Sequence, residues 1–191
     1  MTIAVTGVSG HLGRLVVERL LDRGVPAGDI VAIVRTPEKV ADLSARGVVV
    51  RAGDFDDRAA MTAALAGVDR LLLVSGSAVG QRIPQHTNVI EAAKTAGVGF
   101  VGYTSAPYAD KSPLALAAEH KATEEVLAAS GIPHAVLRNG WYWENYTNDL
   151  AGTVERGVLY GAAGEGRVAA AARTYLTEGN AAIKSDDWAE F

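Results

Sequence analysis

The sequence contains no cysteine, so disulfides, thiolate nucleophiles and cysteine-ligated zinc or iron–sulfur centres are excluded. Aromatic residues make up only 6% of the 191 residues, although 49% are hydrophobic. Ala, Gly and Val carry much of that apolar content, a composition suited to helices packed closely on a parallel sheet. No apolar run reaches the roughly 18 residues that a membrane span needs. The basic excess expected of a nucleic-acid or anionic-membrane binder is also missing: 18 Lys and Arg stand against 22 Asp and Glu, for a net charge of -4. The opening MTIAVTGVSG has no basic stretch, and glycines break its apolar run, which is not the pattern of a secretion signal. No His, Asp and Glu residues fall at metal-ligand spacing, and no G-x-S-x-G elbow marks a hydrolase. The expectation is a soluble protein of the cytoplasm with no metal, no nucleic-acid partner and no membrane span. Its length suits one compact domain with a real core.

What is present is an alternation of short β-branched runs with longer helical patterns. Strands are expected at residues 3–5, 30–34, 48–50, 71–74, 100–104 and 135–137. Helices are expected at 11–23, 37–44, 57–66, 83–96 and 114–129, with Asp56 or Asp57 as a cap for the third. This alternation predicts βαβ units, hence an α/β fold with a doubly wound parallel sheet, the Rossmann fold. The strands are nearly continuous apolar runs, as strands buried on both faces require. After Val168 the pattern fails, and the remaining residues read as a short tail or helical remnant.

Thr6-Gly7-Val8-Ser9-Gly10-His11-Leu12-Gly13 follows the first strand and opens the first helix. The spacing G-x-x-G-x-x-G lets Gly7 make a tight turn, Gly10 admit a pyrophosphate and Gly13 bring helix and sheet together. The helix N-terminus then offers free N–H groups to phosphates. An acid at the end of the second strand would bind a ribose hydroxyl; here Arg35 stands there, with Lys39 a turn later. A guanidinium matches a 2′-phosphate, so NADPH is expected over NADH. Asp54 and Phe55 follow the third strand, near the expected adenine end. Val74, Ser75, Gly76 and Ser77 end the fourth, leaving room for the cofactor to cross the sheet, and Thr104 and Ser105 end the fifth, beside the expected nicotinamide ribose.

Five stretches, TGVSGHLGRLVVERLL, VAIVRTPEK, VGQRIPQHTNVIEAAKTAGV, EHKATEEVLAASGI and LRNGWYWENY, resemble the NmrA-like atypical short-chain dehydrogenases. Within that group they are most similar to the bacterial type 2 NAD(P)H:quinone oxidoreductases. The resemblance implies NADPH bound by Gly7, Gly10, Gly13 and Arg35, and quinone reduction without a flavin. It implies a catalytic group of Tyr103, His120 and Asn139, with Trp141, Tyr142 and Asn145 binding the substrate. Members of this family run well beyond residue 191. Residues 1–138 are therefore expected to bind the cofactor, and residues 139–191 to form a substrate-side segment that is short or truncated relative to the family.

The Tyr-x-x-x-Lys pair of many short-chain dehydrogenases is absent: Pro107 stands four residues after Tyr103, and Ser112 four after Tyr108. Ketone reduction generates a strongly basic alkoxide and needs that acid. Quinone reduction instead generates a delocalised phenolate with a conjugate acid near pKa ~10, which water can protonate. The chemistry is thus permissive for quinones. The alternative is a non-catalytic NAD(P)-binding redox sensor of the NmrA type. A small quinone and a second copy of the chain are the expected partners.

Overall fold

The computed structural model describes residues 1–159 and 164–184; the tail reading for residues 185–191 lies outside the described residues. β1 (Ile3–Thr6) is buried along its length and leads into α1 (His11–Asp22), which buries Leu12, Val16, Val17 and Leu20 as one apolar stripe. β2 (Ile30–Val34) is likewise wholly buried. A 3-10 turn (Pro37–Val40) passes into the short α2 (Ala41–Ala45), then β3 (Val49–Ala52) and α3 (Arg58–Ala64). Asp57 is the cap of α3: its side chain accepts the Ala60 N–H at 2.9 Å. β4 (Arg70–Leu73), α4 (Arg82–Ala96), β5 (Phe100–Ser105), α5 (Ala115–Ala129) and β6 (His134–Arg138) complete the alternation.

The six strands form one parallel sheet in the order β3-β2-β1-β4-β5-β6. Val5 sits between Ala32 and Leu72, and Gly102 between Leu72 and Ala135, which fixes the register across the middle. The order reverses between β1 and β4, where such sheets open a crevice at their carboxyl ends. One face packs Ile33, Leu71, Leu73 and Tyr103 against Met61, Ile90 and Leu127 of α3, α4 and α5. The other packs Ile3, Val5, Ile30 and Leu72 against Val16 and Leu20 of α1.

β7 (Trp141–Tyr142), α6 (Glu144–Thr147), α7 (Leu150–Arg156) and β8 (Ala170–Ala171) follow, and β7 pairs in parallel with β8. α8 (Arg173–Asn180) and a 3-10 turn (Ala181–Lys184) then fold back onto α1. Glu178 pairs with Arg19 and Arg23, and the Lys184 ammonium donates to the Arg23 carbonyl at 3.2 Å. Ala181 and Ile183 are fully buried in the α1-side core. The stretch that reads as a remnant in sequence is therefore core: four residues of 3-10 turn are too few to display a period. Among the described residues no helix is long and apolar enough to cross a membrane, and no three His, Asp or Glu side chains group as a metal site.

Candidate functional site

The carboxyl ends of β1 to β4 surround a cleft of about 470 Å³ at the point where strand order reverses. Gly7 adopts a left-handed φ of +65°, and its carbonyl accepts the Gly10 N–H at 2.9 Å, closing the turn out of β1. A Cβ at Gly13 would lie 2.5 Å from the Gly7 oxygen and 2.8 Å from the Thr6 oxygen, so α1 rests directly on the strand end. α1 begins after Gly10 with no side-chain cap and no acid in its first turn. Its first N–H groups and its positive dipole end are thus left for an anion. Ser9, His11 and Leu12 line the same wall.

Arg35 is exposed and stands on the rim where β2 ends, with no acid beside it in the chain. Asp54 and Phe55 line the cleft after β3; the Asp54 carboxylate also accepts the Asp56 N–H at 3.1 Å. Val74, Ser75, Gly76 and Ser77 line it after β4, and Tyr142 reaches it from β7. These fourteen expected residues, from Gly7 to Tyr142, come together on one surface.

Other expected site residues lie behind that surface or away from it. Thr6 is buried, and its hydroxyl accepts the Val74 N–H at 2.9 Å, tying β1 to the end of β4. The Thr104 hydroxyl accepts the Ser75 N–H at 2.8 Å. Ser105 donates to Glu124 at 2.5 Å, and Arg138 joins Glu124 at 2.7 Å to Asp110 at 3.1 Å, stapling the β5–α5 loop. Burial pushes the Glu124 carboxyl up, but the bonds from Arg138 and Ser105 outweigh it and hold it below its ordinary range. Lys39 is exposed and does not line the cleft.

Tyr103 is fully buried among the residues facing α4 and α5, and its hydroxyl is hydrogen-bonded to His120 Nδ1 at 2.6 Å. Burial raises the Tyr103 pKa, and burial followed by the Arg82 charge lowers that of His120 to about 4, so both are neutral near pH 7. Neither lines the cleft: Tyr103 points into the core under α4 and α5, and His120 lies on α5 behind it. Asn139 donates its backbone N–H to Ser105 at 3.1 Å, while its side-chain Nδ2 is buried without a hydrogen-bond partner. Trp141 is 46% exposed and, with Asn145, lies off the cleft; its ring centroid is 6.5 Å from that of Tyr146.

Sequence reasoning misses Gln85 and Arg173, which also line the cleft. The Arg173 guanidinium lies 4.7 Å from the Tyr142 ring centre, and its backbone N–H donates to both Glu144 oxygens at 2.9 and 3.1 Å. No local signal marks Arg173, because its place depends on α8 folding back. Sequence reasoning also gives no role to His86, which lies under the cleft wall and accepts the Gly76 N–H.

A parallel sheet with a glycine loop, an open helix N-terminus and a cleft at the reversal of strand order define a Rossmann-type dinucleotide-binding protein. The backbone cradle at Gly10 and Gly13 and the cation at Arg35 fit such a ligand. Consistent with this, the NAD(P)H-binding family matches residues 7–175, and the chain belongs to that family. Quinone oxidoreductase 2 of Escherichia coli K12 is 53% identical over 184 residues, 96% of this chain and 64% of the relative. An NmrA-like family domain-containing oxidoreductase of Aspergillus flavus is 33% identical over 153 residues, 76% of this chain and 50% of the relative. The crystal structure of an Escherichia coli NADPH-dependent quinone oxidoreductase complexed with NADPH superposes with a TM-score of 0.92 at 53% identity, covering 97% of this chain and 65% of that one. The chain thus spans less than two thirds of these relatives.

Proposed function

We propose that this protein reduces small quinones with NADPH by hydride transfer, without a flavin. The observation that carries the reading is Arg35 on the rim of the glycine-loop cleft, where an NAD-selective site would hold an acid. The 53% identity to a quinone oxidoreductase supports the substrate class. Bound NADPH supplies the hydride. The glycine loop and the α1 N-terminus hold the pyrophosphate, and Arg35 pairs with the 2′-phosphate. Asp54 and Phe55 flank the adenine end, and the Val74–Ser77 segment forms the wall along which the cofactor lies. Residues 139–191 supply the substrate side, with Trp141, Tyr142 and Asn145 binding the flat quinone ring and Asn139 beside Tyr142. Tyr103 and His120 act as a neutral buried pair that shapes this side, and solvent protonates the phenolate product. The protein works in the cytoplasm, as a homodimer, with no nucleic-acid partner.

The test follows NADPH consumption by the purified chain with and without a simple benzoquinone, while NADPH binding is measured in the same preparation. Quinone-dependent consumption is expected. Tight binding with no turnover on any quinone overturns the catalytic reading and leaves a redox sensor.

A further inference from the structure

Two buried polar side chains with no role in the proposal above, Arg82 and His86, bond to Gly76 of the cleft wall, and a third, Glu119, bonds to Gly80 in the same loop. Gly76 lines the cleft, in a loop between β4 and α4 that has no secondary structure of its own. Its N–H donates to His86 Nε2 at 3.0 Å. Its carbonyl accepts two bonds from Arg82, from Nε at 3.0 Å and Nη2 at 2.8 Å. The other Arg82 nitrogen pairs with Glu119, whose second oxygen accepts the Gly80 N–H at 2.5 Å. Arg82 and His86 are one turn apart on α4; Glu119 and Thr123 are one turn apart on α5. The two pairs meet where the helices pack.

The hydrogen-bond order fixes the imidazole. Because Nε2 accepts from Gly76, Nδ1 carries the proton and donates to the Thr123 hydroxyl at 3.1 Å, which in turn donates to the Glu119 carbonyl at 2.9 Å. Burial, then the Arg82 charge and the neighbouring His120, keep His86 neutral, with a pKa down to about 3. Phe55 and Tyr103 stand edge-on to the His86 ring, with centroids 6.1 and 5.4 Å away, so the ring has little room to turn. A buried ion pair is an inefficient way to stabilise a fold, since desolvating both charges offsets most of their attraction. Here every bond that the group spares beyond the pair goes to the loop.

We propose that Arg82, His86 and Glu119 are positioning residues that hold the Gly76–Gly80 loop in its cofactor-receiving conformation before the cofactor arrives. The proposal rests on the NADPH reading above. A preset wall spares the cofactor the entropy of ordering the loop, so the clamp acts on affinity and not on the hydride step.

The experiment uses the full chain and three measurements: NADPH affinity, the separate values of KM and kcat with a benzoquinone, and amide hydrogen exchange at Gly76 and Gly80. In the cofactor-free wild type both amides are expected to be protected. His86→Phe keeps the ring but removes the acceptor, and should raise Kd and KM for NADPH about tenfold while leaving kcat at saturation unchanged. His86→Gln returns an acceptor oxygen near the Nε2 position and should recover most of the loss. Equal NADPH affinity in wild type and His86→Phe, or no recovery in His86→Gln, overturns the proposal. So do wild-type amides that gain protection only when NADPH is added, a result that stands even where His86→Phe does not fold. A wild type that binds NADPH but shows unprotected amides sinks the clamp alone; one that binds no NADPH sinks the cofactor reading and the clamp together.

Discussion

A methyl group at position 13 would meet the Gly7 oxygen at 2.5 Å and the Gly7 carbonyl carbon at 2.7 Å, both backbone atoms that cannot swing aside. Gly13→Ala should therefore cost about 1–3 kcal/mol as helix and strand are forced apart. The expected result is a lower thermal midpoint together with NADPH binding weakened beyond detection at wild-type concentrations; an unchanged midpoint would mean the loop yields easily. The pairing proposed for Arg35 with a 2′-phosphate is a different kind of contact. Its loss removes a charge-assisted pair worth about 1.5–3 kcal/mol, so Arg35→Ala should weaken NADPH roughly ten- to hundredfold and leave NADH unchanged in parallel titrations. Both residues were legible in the sequence because each acts from a contiguous strand–loop–helix segment. His86 was not: its partner Thr123 is 37 positions away, and only the packing of two helices brings them together. Tyr103 was expected beside the site but is buried, because helices cover both faces of the sheet and position 103 lies in the core under α4 and α5.

The ion pair joining α4 to α5 is 4% exposed at Arg82 and 9% at Glu119. Glu119→Ala strands the buried guanidinium and should cost about 3–5 kcal/mol in urea unfolding. Replacing both partners with Met should restore much of that stability while NADPH binding stays weak. Recovery of both together would mean the pair serves the fold alone. The strands of the sheet were readable because parallel strands buried on both faces keep short unbroken apolar runs, as in IVAIV of β2. α8 was not readable. Its sequence RTYLTEGN is only eight residues long and mostly polar, with a glycine before its last residue, and it is held by Glu178 pairing with Arg19 and Arg23, more than 150 positions away.

The molecule as a whole should be acid-sensitive for a stated reason. His86 and His120 have folded pKa values near 3 and 4, below the ordinary 6.5, chiefly through burial. Below 6.5 the unfolded chain binds protons that the folded one refuses. The stabilisation is therefore complete above about pH 6.5 and is lost as pH falls toward the folded values, by about 1.4 kcal/mol per unit for each histidine. Unfolding midpoints should hold above about pH 6.5 and drop steadily from there to pH 5, and a flat profile would refute the neutral assignment. The return of residues 173–184 onto α1 also bears on how the chain comes to be made. α1 and the glycine loop leave the ribosome early, yet their core contacts with Ala181 and Ile183, and the Arg173 that lines the cleft, are synthesised more than 150 residues later. A nascent chain halted before residue 173 would thus display the phosphate loop without Arg173 and the α1-side core around it, so that cofactor capture waits until residues 173–184 have emerged.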